Sequence, residues 1–504
     1  MSADLYMEMR CVSDRAGKAR QMALVVLAAT AVLLTTHDVK ASDVLPEVTG
    51  LPDLVADPLL ARPPVLDTGV ALPGDRERTS CPSGVNLAAP LSLADAIDVA
   101  LCSDPGVMLA WANIKLQSAT VGEARAAYLP TLNASVTGMR NDTSYPAFPG
   151  SDSHVNGHTS YAALNWRLFD FGERAANRKA ANDMLDAALA SYDAALQKTL
   201  GTTVQAWFDA VTAQGASRAR TEASRLAGET LAAAQRREEK GATGRNDTLQ
   251  AQTAFARARL AAERAAGEAD KTMATLVYTL GIAAGTRLLL PEDTPAPTAQ
   301  GVDDLAAWLD EAKRRHPAII AAEKQWQATR SRIASVRSQG MPTVDLGVSF
   351  YQNGYPNQGL QTARSNTTII GVTLTIPLFE GFARTYKVRE AQAQAEQDEA
   401  RMQDTERQVL GDVVKAHADA VASLGELDAS RTLLDSAQLA LTSSRRRYDY
   451  GVADILEVLN AQSALADAQQ ERVRSESDWR SARLRLRAAA GVLGRQRLAG
   501  IDGS

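Results

Sequence analysis

In the stretch Tyr448–Ser463, Y-D-Y-G-V-A-D-I-L-E-V-L-N-A-Q-S, three polar residues recur at steps of three: Asp454, Glu457 and Asn460. On a helix, positions three apart share a face. The spacing therefore predicts a helical turn that presents two carboxylates and an amide to one side. Acids at a helix start also complement the positive end of its dipole, which is the bland reading of any one such stretch. A partial copy, K-G-A-T-G-R-N-D-T-L-Q-A-Q-T, runs from Lys240 to Thr253. It pairs Gly241 with Gly451 and Asp247 with Glu457 at an offset of 210. Two copies in register favour a functional site over dipole complement alone. The chemistry is not that of an enzyme: the chain has no P-loop, no H-E-x-x-H and no nucleophile elbow. His154 and His158 are four apart but lie in a Gly/Ser-rich stretch, and they read as solvated surface rather than a metal site. No cofactor is expected.

The elements that position these acids are long. No proline occurs from Gly172 to Lys240, and helix formers dominate, which predicts a rod of ~100 Å. Gly241-Ala242-Thr243-Gly244 then reverses the chain, and a second helix is expected from Asn246 to Gly281. Upstream, a helical pattern from Leu91 to Tyr128 is interrupted by Pro105, with Ser92 or Asp95 as its cap. Pro130 ends it, and the period becomes two. Ala162, Leu164, Trp166 and Leu168 alternate with polar partners, and Thr131–Asn141 forms a weaker strand. Asp142–Ser160 between them is predicted to be an exposed loop.

The plan then repeats. Pro105, Arg125 and Pro130 match Pro317, Arg337 and Pro342 at an offset of 212, and Leu168-Phe169 matches Leu378-Phe379 at 210. Arg236-Arg237 matches Arg446-Arg447, and Gly281 matches Gly491. Strands alternating through Val344, Leu346, Val348 and Phe350, and through Ile370, Val372, Leu374 and Ile376, complete the second copy. The chain is thus read as a tandem duplication: signal peptide 1–41, Pro-rich arm 42–90, first repeat 91–290, linker 291–302, second repeat 303–494 and tail 495–504.

Composition agrees with long, closely packed helices. Apolar residues make up 45% but aromatics only 5%, so alanine fills the hydrophobic positions. The net charge of -5, with no basic domain, excludes nucleic acid as a partner. Arg10, Arg15, Lys18 and Arg20 precede an apolar run, Met22–Leu34, too short to span a bilayer, and Val39-Lys40-Ala41 offers a cleavage site. Export beyond the inner membrane is expected, without a lipid anchor. In that oxidising compartment Cys81 and Cys102 form an even pair, either a disulfide or two small buried thiols.

Strands of about 9 to 11 residues, apolar on one face, have the length and pattern of membrane-barrel strands with a wet lumen. Four cannot close, and an open edge in lipid costs several kcal/mol per unsatisfied group. Copies must therefore share a barrel: two would fill it with side chains, three would leave a pore. The stripe Val409, Val413, Ala416, Ala420, Leu424, Leu427 recurs near 3.6, which predicts nearly straight helices that continue the barrel as a tube. The rival is a periplasmic coiled-coil scaffold without membrane strands, which leaves the four alternating segments unexplained.

Across Leu91 to Leu493 the chain resembles the TolC family of outer-membrane channel proteins. The resemblance is carried chiefly by S-S-R-R-R-Y-D-Y-G-V-A-D-I-L-E-V-L-N-A-Q-S-A-L, with Leu378-Phe379-Glu380-Gly381 and Ala490-Gly491-Val492-Leu493. Leu101-Cys102-Ser103-Asp104-Pro105 and the Cys81–Cys102 pair are similar to the type I protein-secretion branch, with drug or metal efflux as the alternative. The resemblance implies a mainly α fold with a membrane β-barrel. In it, a homotrimer shares a 12-stranded barrel in outer-membrane lipid, above a periplasmic tunnel of α-helical hairpins. It implies a periplasmic adaptor and an inner-membrane transporter (ABC or RND) as partners. It places acidic rings at Glu457 and Asn460, of which the second is neutral here, leaving Asp454 as the other acid. It places a tip-locking tyrosine at Tyr448 and a constriction-side acid at Asp247, and it puts Ala453 where the family has a lock arginine. Gly241-Ala242-Thr243 and Gly451-Val452-Ala453 would meet the adaptor. Three Glu457 side chains converging on an axis would favour cations and make closure pH-sensitive.

Overall fold

The computed structural model describes residues 89–144, 146–147, 153–241, 243–291, 302, 304–353 and 365–493, with Leu59 and two short strands at 69–70 and 79–80. By contacts the chain divides into Met1–Pro58 and Leu59–Ser504, and every described residue belongs to the second unit. The signal peptide, the tail and nearly all of the linker expected from the sequence lie outside the described residues. In the Pro-rich arm, β1 (Gly69–Val70) pairs antiparallel with β2 (Thr79–Ser80).

The interrupted helix expected at 91–128 is two helices, α1 (Leu93–Ser103) and α2 (Pro105–Ala126). Ser92, not Asp95, caps α1, accepting from the Asp95 N–H at 3.1 Å. Asp104 caps α2, and its Oδ1 accepts from the Gly106 and Val107 N–H groups at 2.6 and 3.1 Å. Proline has no N–H to satisfy at the first helical position, so Pro105 starts a helix rather than breaking one.

β3 (Thr131–Thr143), β4 (Ser153–Phe169), β5 (Thr343–Asn353) and β6 (Ser365–Thr375) form one antiparallel sheet in chain order. The loop expected at Asp142–Ser160 is much shorter, because β4 extends back to Ser153 and pairs with β3 from Ser153 to Asn165. Cross-strand partners override a turn-like composition here. His154 and His158 consequently sit on a strand, and Asp142 Oδ1 lies 2.7 Å from His154 Nδ1 as its register partner.

The register places the alternating apolar residues on one face. Leu132 opposes Leu164, Leu164 opposes Val348, and Val348 opposes Ile370; Trp166, Leu346 and Val372 follow in the next row. The other face carries Asn165, Gly347 and Gly371, with Arg167 bonded to Asp345 across strands at 3.0 Å. Among the described residues, β3 and β6 each leave one backbone edge unpaired. The sheet is two-faced and unfinished at both sides.

Each strand pair feeds a hairpin of matching dimensions. After β4 come α3 (Glu173–Glu239, 67 residues) and α4 (Arg245–Thr279, 35 residues). The second half repeats the plan with α5 (Leu305–Arg315) and α6 (Pro317–Ser338) before β5, then α7 (Ala383–Asp449, 67 residues) and α8 (Ile455–Ala489, 35 residues) after β6. Both strand-to-helix junctions use two consecutive left-handed residues, Phe171-Gly172 in one repeat and Gly381-Phe382 in the other. A phenylalanine in that region costs about 1 kcal/mol. In the first repeat Asp170 braces the turn, accepting from the Gly172 and Arg174 N–H groups and from Arg174 Nε at 2.6 Å.

The main core lies where α1 crosses the hairpins: Ile97, Leu196, Leu200, Leu276, Leu280, Leu484 and Leu493 are fully buried. On α7 the expected stripe is buried at Val409, Val413, Ala420 and Leu427, but Ala416 and Leu424 are only half-buried, and Ser423 takes the inner place beside Leu424. Among the described residues no helix is long and apolar enough to cross a membrane.

Candidate functional site

The two hairpins end in matched turns. Gly241 and Gly451 both have left-handed φ, +69° and +73°, and a Cβ at either would meet nothing within 4 Å. Backbone conformation, not crowding, is therefore what requires glycine. The Gly451 N–H donates to the Tyr448 carbonyl at 3.1 Å and the Val452 N–H to that of Arg447 at 3.0 Å, closing the end of α7. Val452 is exposed, Ala453 and Thr243 are half-buried, and Ala242 lies outside the described residues.

The acids of the opening stretch have separate duties. Asp454 is the N-cap of α8, its Oδ1 accepting from the Leu456 N–H at 3.5 Å. Glu457 turns back onto its own hairpin, where its Oε1 accepts from Ser444 Oγ at 3.1 Å and from Arg447 Nη1 at 3.2 Å. The Glu457 side chain remains 38% exposed, so the pairing tempers its charge without removing it from solvent. Asn460 is exposed and lines a groove with Leu456 and Ser463 of α8 and with Asn246, Gln250 and Arg257 of α4. Asp247 lies half-buried in the first turn of α4.

Tyr448 joins the two tips. Its half-buried side chain packs against two apolar clusters, one that includes Leu441, Val458 and Leu465 of its own hairpin, and one that joins Ile455 and Leu459 to Ala234 and Ala251 of the other hairpin. The Arg237 guanidinium, reaching over from α3, lies 4.4 Å from the ring centroid and also meets Asp449 at 3.2 Å. The Tyr448 hydroxyl is buried and has no hydrogen-bond partner among the described residues, so Asp247 does not bond it. The contacts that Tyr448 makes between the two hairpins are those of its ring.

The structure therefore brings Tyr448 and Glu457 into contact networks and leaves Asp247 and Asn460 outside them. Sequence reading missed Arg237, Arg447, Ser444 and Asp449. A signal for two of them was present, since Arg237 and Arg447 are equivalent at the offset of 210 and both precede a tip glycine. Cys102 on α1 is disulfide-bonded, while Cys81 lies outside the described residues.

A two-faced sheet with unfinished edges, set on duplicated hairpins that end in glycine turns, defines the subunit of an outer-membrane channel built from several copies of one chain. The sequence profile of the outer membrane efflux proteins matches residues 96–282 and 308–492, and the chain belongs to that family. It is 36% identical over 443 residues to protein CyaE of Bordetella pertussis, covering 88% of this chain and 92% of that one. It is 26% identical over 418 residues to the alkaline protease secretion protein AprF of Pseudomonas aeruginosa, covering 80% and 85%. The fold matches the crystal structure of the outer membrane protein VceC of Vibrio cholerae with a TM-score of 0.68 at 21% identity, over 79% of this chain and 96% of that one. The fold is that of trimeric TolC-like channels, four strands per chain, and its place is the outer membrane with a large periplasmic part.

Proposed function

We propose that three copies of this chain form the outer-membrane exit of a type I protein-secretion system, which works with a periplasmic adaptor and an ABC transporter of the inner membrane. The observation that carries this reading is the near full-length similarity to CyaE, supported by AprF, which is named for protease secretion. The tips, Gly241-Ala242-Thr243 and Gly451-Val452-Ala453, are the surface offered to the adaptor: Val452 is 68% exposed, which no need of the chain's own core explains. The closed state is held by Arg237 against Tyr448 and Asp449, in place of the lock arginine that the family has where Ala453 stands here. Glu457, tethered by Arg447, supplies the charge at the constriction, with Asn460 as a neutral position beside it and Asp454 engaged as a cap.

Co-purification from the native cell under mild crosslinking tests the partnership. Recovery of an adaptor with an ABC transporter is expected, and recovery of an RND pump instead would move the reading to drug or metal efflux. Val452→Arg places a bulky charge on the tip and is expected to abolish complex assembly while trimers still form. Intact assembly and secretion in that variant would remove the tips from the adaptor interface.

A further inference from the structure

The helices leave the sheet through four junctions, where the charge is opposite in sign to that of the chain as a whole. Residues 120–130, 168–179, 331–342 and 377–390 hold nine Lys and Arg against five Asp and Glu, in a chain whose net charge is -5. Some of this is internal: Arg174 is bonded to Asp170, and Glu173 is paired with Arg167. Six cations are different. Arg178, Lys179, Arg332, Arg337, Lys387 and Arg389 are exposed and make no ion pair among the described residues. At 1.5 Å per residue all six lie within about 10 Å of the sheet end of their helix.

The same junctions expose large apolar side chains. Leu378 is 92% exposed, Phe379 75% and Phe382 67%, and in the first repeat Phe169 and Phe171 are about half exposed. In each repeat one cation of the set also lies over a tyrosine, Arg178 over Tyr128 at 5.4 Å and Arg389 over Tyr386 at 5.6 Å. Rings at the end of lipid-facing strands sit at the hydrocarbon boundary. Cations one or two helical turns beyond them lie at the depth of phosphates, within a Debye length of a charged leaflet.

We propose that this collar binds the anionic headgroups of phospholipids in the periplasmic leaflet of the outer membrane. The inference goes beyond the secretion reading and depends only on the sheet being the membrane-crossing element. The cations are spread around a boundary rather than gathered in a pocket, so they suit an array of headgroups and not a single free ion. The collar orients the channel by fixing the depth of its strand–helix junctions.

The test uses the full-length trimer in mixed micelles of phosphatidylglycerol and phosphatidylcholine, with bound lipids counted by native mass spectrometry. Phosphatidylglycerol is expected to be enriched, and the enrichment to fall at high salt. Each cation near an anionic surface is worth roughly fivefold in affinity. The combined variant Lys179→Gln, Arg332→Gln, Arg337→Gln, Lys387→Gln should therefore lose the enrichment by about tenfold or more while remaining trimeric. If that variant fails to assemble, the pair Lys179→Gln, Lys387→Gln reads the same loss on a smaller scale. Equal retention of the two lipids by the native trimer, or undiminished enrichment in an assembled variant, overturns the proposal. So does displacement of the lipid by inorganic phosphate at matched ionic strength, which would make the site one for a free anion.

Discussion

Arg237→Ala removes the cation that α3 lays across the tip of α7. The guanidinium gives up a ring contact at 4.4 Å and an ion pair at 3.2 Å whose side chains are 36% and 69% exposed. A part-exposed cation–π contact is worth about 0.5–1 kcal/mol and an exposed ion pair about 0.2–1 kcal/mol. Together the loss is about 1–2 kcal/mol per chain. If three tips open as one, the closed state loses about 3–6 kcal/mol, a shift of roughly two to four orders of magnitude in the closed-to-open ratio. Single-channel recording of full-length trimers in planar bilayers reads this directly, as longer and more frequent open intervals. Arg237→Lys keeps the charge without the planar stack, so it is expected to fall between the two. Tyr448→Phe should match the native channel, because the hydroxyl has no hydrogen-bond partner among the described residues to lose. Intact Arg237→Ala trimers with native open intervals would refute the clamp, and a Tyr448→Phe channel that opens freely would refute its reliance on the ring.

Other expectations concern charge, burial and the turns. Glu457→Ala should weaken cation preference and relieve block by divalent cations, whereas Arg447→Ala, which frees the Glu457 carboxylate from its 3.2 Å partner, should strengthen both; reversal potentials in a salt gradient decide. Burial raises the Asp193 carboxyl on α3 from 3.8 to about 6. A raised acid pKa means that the folded chain prefers the proton, so the penalty is absent below about pH 4, grows through pH 4–6 and is complete above it. Asp193→Asn should accordingly stabilise by about 1–2 kcal/mol at pH 8, allowing for part exposure, and by little at pH 4, as read from denaturation midpoints at the two pH values. Gly451→Ala should cost about 1 kcal/mol through its φ of +73° alone, with Gly411→Ala on the open face of α7 as the neutral or stabilising control in the same denaturation assay.

Much of the molecule was legible beforehand because its signals are periodic and occur twice. The 67-residue helices lack proline, and the tip glycines follow matched arginine pairs. The strands alternate so cleanly that period two alone places Leu164, Val348 and Ile370 on apolar faces, and the register sets them side by side. Legibility failed where composition misleads. Ser153–Ser160 looks like a loop because Gly, Ser, Asn and His do not favour strands in isolation, yet β3 supplies partners for its whole backbone. It failed again at the tip, where contacts join residues far apart in the chain. Nothing in the spacing of Tyr448 shows that Arg237, on another hairpin, lies over its ring.

The sequence by itself determined the duplication, the two-faced strands and the stretch of acids at the second tip, since each rests on local period and on residue types compared along one chain. Only the tertiary structure decided what those acids do. Asp454 caps a helix, Glu457 is held by Ser444 and Arg447, and Arg237 lies over the Tyr448 ring. The physical reason is range. Helix and strand propensities act over a few residues, whereas a charge or an aromatic ring takes its role from whichever group the folded chain sets within about 4 Å of it.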